Sequence, residues 1–117
     1  MANPNFVLQW NCNGLRSKHY ELSIMLAKYS PAVVCVQETL LSPDIERCQK
    51  DNKTLPHSVV FRGYVPYFRC IESGRNGVAI YVKRDIIHSQ IKLNMKWQAL
   101  AIRVTFQGKQ YIVDKKR

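Results

Sequence analysis

The stretch Ala32-Val33-Val34-Cys35-Val36 is apolar at every position. A strand with one wet face alternates apolar and polar residues, so an unbroken run of this length suits a strand covered on both faces, as in a parallel sheet. The residues before it agree. Phe6 to Trp10 is rich in strand-forming side chains and breaks off in Asn11-Cys12-Asn13-Gly14, a turn-rich cluster. Ser17 is placed to cap a helix, Glu21 falls in its first turn, and Leu22, Met25, Leu26 and Tyr29 recur at i, i+3, i+4 and i+7. The pattern predicts a helix over Lys18 to Tyr29, stopped ahead of Pro31, whose ring disfavours helical geometry in the residue before it. Strand, helix and strand make a βαβ unit. Its right-handed crossover leaves both strands pointing the same way, so Asn11 and Glu38 emerge at one rim, where α/β sheets hold their ligands.

The chain then changes character. Leu41 to Lys53 is polar, with a short helix expected around Ile45 to Lys50. Ser58–Arg62, Tyr64–Ile71, Val78–Lys83, Ile86–Leu93, Trp97–Phe106 and Gln110–Val113 are rich in β-branched or aromatic residues and read as strands. Tight turns are expected at Gly74-Arg75-Asn76-Gly77 and at Gln107-Gly108-Lys109. The fold class is α/β, a βαβ unit followed by antiparallel strands, with no internal repeat and no linker.

Charge narrows the function. Eighteen Lys and Arg against eight Asp and Glu give +10, spread along the chain, which points to a polyanionic partner. Nucleic acid is favoured over membrane because no strongly basic amphipathic helix appears, and no window approaches the roughly 18 apolar residues of a spanning helix. Cys12, Cys35, Cys48 and Cys70 form no CxxC pair and no His stands at finger spacing, which argues against zinc. The first segment lacks the charged start and long apolar stretch of a signal peptide. An intracellular, nuclear or cytoplasmic protein with reduced thiols is expected, not a secreted one.

Four segments together resemble one family. Leu8-Gln9-Trp10-Asn11-Cys12-Asn13-Gly14-Leu15-Arg16 looks like the first motif of retrotransposon endonucleases, and Val34-Cys35-Val36-Gln37-Glu38-Thr39 like the second. Asn76-Gly77-Val78-Ala79-Ile80-Tyr81-Val82 resembles the third, where relatives more often begin with Gly-Gly. Trp97 to Val104 is similar to the next strand of jockey-like elements. The order and spacing match the amino-terminal part of an endonuclease/exonuclease/phosphatase-type nuclease of non-LTR retrotransposons.

That resemblance implies a four-layer αββα sandwich and a phosphodiesterase that uses Mg²⁺ or Mn²⁺ to nick DNA. Glu38 would be the metal-binding carboxylate and, with Asn11, a catalytic residue; Asn11 would touch the scissile phosphate or the metal network. Asn13, Arg16 and Lys18 are candidate nucleic-acid contacts. His19, His57 and His88 have no acidic partner nearby in sequence and read as structural or exposed, and Trp10 and Trp97 read as core.

The later family motifs, Tyr-x-Pro-Pro, Asp-x-Asn and Ser-Asp-His, are not in these 117 residues. The expectation is a truncated domain over 1–113 with an off-pattern basic tail over 114–117, weak or absent metal binding, and no cutting by the chain alone. Two other readings are a non-catalytic basic nucleic-acid-binding module and a protein-interaction fragment. The second follows from expecting only about one sheet, whose inner face would stand exposed and invite association.

Overall fold

The computed structural model describes residues 3–70, 76–94 and 99–116. β1 (Asn3–Asn11) leads through a loop to α1 (His19–Tyr29) and back to β2 (Pro31–Gln37). β1 and β2 are parallel, with Leu8 opposite Val34 and Asn11 opposite Gln37. After α2 (Asp44–Lys50) come β3 (Tyr64–Arg69) and β4 (Val78–Lys83), which complete a four-stranded sheet in the order β1-β2-β4-β3. β5 (Ile87–Ile91), β6 (Ala99–Phe106) and β7 (Lys109–Lys116) form a second, antiparallel sheet.

The strand order follows from composition. β2 is buried at its first six positions and β4 at its first five, so both need cover on two faces and take the centre. β3 carries Pro66, which has no N–H to donate, and lies at an edge. The central strands expose two apolar faces in alternation. Val34, Val36, Ala79 and Tyr81 pack with Leu22 and Leu26 of α1 and Ile45 of α2 in one core. Val33, Cys35, Val78, Ile80 and Val82 pack with Leu100, Ile102 and Val104 of β6 in the other.

This second core corrects the expectation of an uncovered inner face. Cys35, Ile80, Val82 and Ile102 are all at 0% exposure, because the second sheet lies directly on the first. The chain supplies strands of both sheets, and the centre of the inner face is covered.

Other local expectations fail for identifiable reasons. Ser17 does not cap α1: its hydroxyl donates to the Gly14 carbonyl at 3.0 Å, and Lys18 occupies the cap position without a side-chain capping bond. Ser30, left-handed at φ 45°, ends α1 through its N–H to the Leu26 carbonyl at 2.9 Å. Ser58–Arg62 is not a strand. His57–Val59 is a 3-10 turn whose backbone closes on itself, Val59 N–H to Pro56 at 3.2 Å and Val60 N–H to His57 at 3.3 Å. β7 runs three residues past Val113, pairing Asp114, Lys115 and Lys116 with Ala101, Leu100 and Ala99. The β6–β7 turn places both Gln107 (φ 50°) and Gly108 (φ 80°) in the left-handed region, as a tight two-residue hairpin turn requires. Gly74 and Arg75 of the other expected turn, and Trp97, lie outside the described residues.

The histidines have structural partners. His19 Nε2–H donates to the Val60 carbonyl at 2.7 Å and its ring stacks on Phe61. His88 Nδ1–H donates to the Ile86 carbonyl at 2.8 Å, which leaves Nε2 to accept the Tyr67 hydroxyl at 2.7 Å. That last bond ties the two sheets together. His57 is exposed, 5.4 Å from the His19 ring. Trp10 is half-buried against the helix-side core.

Candidate active site

The site forms where strands stop. β1 ends at Asn11 and β2 at Gln37, in register, and the chain leaves each through residues that turn sharply. Asn13 (φ 50°), Gly14 (φ 110°), Glu38 (φ 53°), Leu40 (φ 57°), Asn76 (φ 58°) and Gly77 (φ 86°) all adopt left-handed backbone. For a residue such as Glu38 that conformation costs about 1–3 kcal/mol and persists only where surrounding bonds impose it.

Those bonds are backbone bonds between three loops. Cys12 N–H reaches the Gln37 carbonyl at 3.1 Å, Gly14 N–H the Glu38 carbonyl at 2.9 Å, and Leu15 N–H the Thr39 carbonyl at 2.9 Å. From the other side, Thr39 N–H donates to Gly77 at 3.3 Å and Leu40 N–H to Asn76 at 2.9 Å. Glu38 is thereby held between the loop after β1 and the loop before β4. The buried Cys12 lies beneath them, and burial pushes its thiol pKa above the ordinary value.

A cavity of about 240 Å³ opens at this rim, lined by Asn11, Gln37, Glu38, Asn76 and Gly77. Among the described residues Glu38 is its one acidic lining residue, beside three side-chain amides. Carboxylate and amide oxygens are hard donors, the set that suits Mg²⁺ or Mn²⁺ retaining several waters. Among the described residues no three His, Cys, Asp or Glu gather as a ready-made metal cage. The acidic groups of α2 are engaged elsewhere: Asp44 pairs with Arg47, and Glu46 accepts the Cys70 N–H and faces Arg69 at 3.7 Å.

Of the residues singled out from sequence, Asn11 and Glu38 share the cavity and Asn13, Arg16 and Lys18 do not line it. Asn13 and Arg16 are exposed on the adjoining loop, and the Lys18 ammonium donates to the Cys12 carbonyl at 3.3 Å. Gln37, Asn76 and Gly77 were visible in the motifs but not as site residues. Their place depends on β4 lying against β2, so that Val78 opposes Gln37, a pairing no local pattern encodes.

Thr39 stands directly behind the cavity. It is 1% exposed and, among the described residues, its hydroxyl has no hydrogen-bond partner. A Cβ built on Gly77 would meet that hydroxyl at 2.6 Å. Only glycine fits there.

Two packed sheets with helices on an outer face, and a polar rim where loops hold one carboxylate among amides, define an α/β sandwich with a polar cavity at its strand ends. Residues 8–114 match the Endonuclease/Exonuclease/phosphatase family, and the chain belongs to it. Recombination repair protein 1 of Drosophila melanogaster is 36% identical over 84 residues, which are 70% of this chain and 11% of that protein. The fold is shared with the AP endonuclease LMAP of Leishmania major, at a TM-score of 0.73 and 16% identity over 95% of this chain. It is also shared with the endonuclease domain of TRAS1, a telomere-specific non-LTR retrotransposon, at 0.67 and 19% over 98% of this chain. The chain spans 39% and 46% of those two structures.

Proposed function

We propose that these residues form the first part of a metal-dependent endonuclease domain that nicks DNA, of the non-LTR retrotransposon kind. The observation that carries the reading is the convergence of Asn11, Gln37, Glu38 and Asn76 on one cavity at the ends of adjacent strands. Glu38 would bind the metal, and the Asn11 amide would hold the scissile phosphate or a metal-bound water. When bound, the metal would offset negative charge on the phosphate and the leaving oxygen. Asn13, Arg16 and Lys18, on the loop leading away from the cavity, would contact neighbouring phosphates. The motif resemblance is what favours the retrotransposon kind, and the TRAS1 domain shares the fold over 98% of this chain and 46% of its own length. A DNA-directed role and four free cysteines fit a nuclear or cytoplasmic setting.

The 117 residues on their own bind DNA without cutting it, in this reading. Among the described residues Glu38 is the only carboxylate lining the cavity, and no second acid or base lines it to orient an attacking water. Metal binding without that alignment leaves little rate, because such groups act as a unit. The +10 charge independently supports a second reading, a basic nucleic-acid-binding module.

Both are tested with supercoiled plasmid and duplex DNA. Homogeneous protein in Mg²⁺ or Mn²⁺ is expected to nick no faster than its Glu38→Ala variant, and to bind duplex with affinity that falls steeply as salt rises. Glu38-dependent nicking would overturn the claim that the chain alone is inactive. Absence of duplex binding at low salt would overturn both DNA readings.

A further inference from the structure

We infer that Lys115, at the end of β7, is a phosphate-binding residue of the rim, so that the second sheet as well as the first contacts the DNA backbone. The inference rests on the DNA reading above and adds a contact from the opposite sheet.

Three observations place the side chain. Lys115 is in register with Leu100, whose side chain packs into the core between the sheets, and cross-strand partners share a face. Lys115 therefore projects toward the first sheet, not away from it. Its ammonium donates to Gln9 Oε1 at 3.5 Å. Gln9 lies two residues before Asn11 on β1, on the same face of the strand, a step of about 7 Å. The electrostatic effect of Lys115 on Cys35, which faces the same interior, agrees with this placement.

The chemistry follows from position. Among the described residues Lys115 forms no ion pair; the pairs present join Arg47 to Asp44 and Arg69 to Glu46. Its bond to Gln9 is long and exposed, so a phosphate oxygen displaces it at little cost. A backbone phosphate leading out of the Asn11–Glu38 cavity across the end of β1 meets this ammonium from the second sheet. Recognition of that kind uses charge alone and carries no base sequence information.

The test is the salt dependence of duplex binding by the whole chain. Lys115→Gln should lower the slope of log affinity against log salt by about 1, the loss of one phosphate contact, while Lys115→Arg keeps it. Lys28→Gln removes the same charge from the last turn of α1, at the opposite end of the sheet, and should change the slope by less than half as much. In the unmodified protein, bound duplex should shield Lys115 from an amine-reactive label more than Lys28, a readout that no folding defect of a variant can produce. A Lys115→Gln slope equal to that of wild type or of Lys28→Gln, or equal labelling of the two lysines with and without DNA, overturns the inference. Wild-type protein that binds no duplex would sink the DNA reading with it, whereas normal wild-type binding with an unaffected Lys115→Gln slope sinks this contact alone.

Discussion

Replacing Gly77 with alanine tests whether the rim is as tightly set as its geometry implies. Gly77 has φ 86°, and an L residue held left-handed loses about 1–2 kcal/mol. The added Cβ would also sit 2.6 Å from Thr39 Oγ1 and 3.4 Å from the Arg69 carbonyl. The first contact is far inside van der Waals range, and forcing a methyl into a packed site costs about 1–3 kcal/mol. Gly77→Ala should therefore destabilise by about 2–5 kcal/mol, the sum of strain and contact. Thr39→Ala separates the two. Among the described residues its hydroxyl has no partner to lose, so the single change removes little beyond a buried methyl, about 1 kcal/mol. In the Thr39→Ala background the contact vanishes but the strain remains, so Gly77→Ala should cost about 1–3 kcal/mol less than it does alone. Urea unfolding of wild type, both single variants and the double variant gives the coupling directly. Additivity within about 0.5 kcal/mol would refute the argument that Thr39 is what requires glycine at this position.

Two further outcomes follow from burial. Burial pushes the Cys35 thiol from its ordinary 9.0 up to about 11 and the Tyr64 hydroxyl from 10.0 to about 12. Both groups stay protonated longer folded than unfolded, so their stabilisation is complete below about pH 9 and is lost as pH rises through 11 and 12. The urea midpoint should fall over that range and fall less in a Cys35→Ala variant, and a midpoint flat from pH 8 to 11 would contradict it. Ile102→Ala, at 0% exposure between the two sheets, should cost about 2–5 kcal/mol in the same assay, whereas a cost below about 0.5 kcal/mol would mean that the sheets do not pack as described.

Much of this was legible in the residues because the signals were local. The unbroken apolar run of β2, the amphipathic spacing of Leu22 and Leu26, and the break at Asn11 gave the βαβ unit, and the handedness of such units put Asn11 and Glu38 at one rim. Other features depend on distant partners. Val33, Cys35 and Ile80 show an apolar face, but only tertiary structure shows that Leu100 and Ile102 cover it. Tyr29 fits the helical period, yet it is 49% exposed because α1 ends before the core reaches it. Val59 and Phe61 are buried and flank a β-branched residue, a pattern that mimics a strand, but local turns bond the Val59 N–H and the Phe61 carbonyl, and the Tyr81 hydroxyl donates to the Val59 carbonyl. Asn76 and Gly77 looked like an ordinary turn, and became part of the site because β4 lies between β2 and β3.

The proposed nuclease function requires the Asn11–Glu38 rim to bind a divalent metal through Glu38. Paramagnetic broadening of backbone amide NMR signals by sub-stoichiometric Mn²⁺ reads this even where affinity is weak. Broadening should be strongest at Asn11, Glu38 and Gly77, and Glu38→Gln should abolish it there while leaving the rest of the spectrum in place. Broadening centred on other acidic residues such as Glu46 or Asp51, or unchanged in Glu38→Gln, would contradict the assignment of this rim as the metal site.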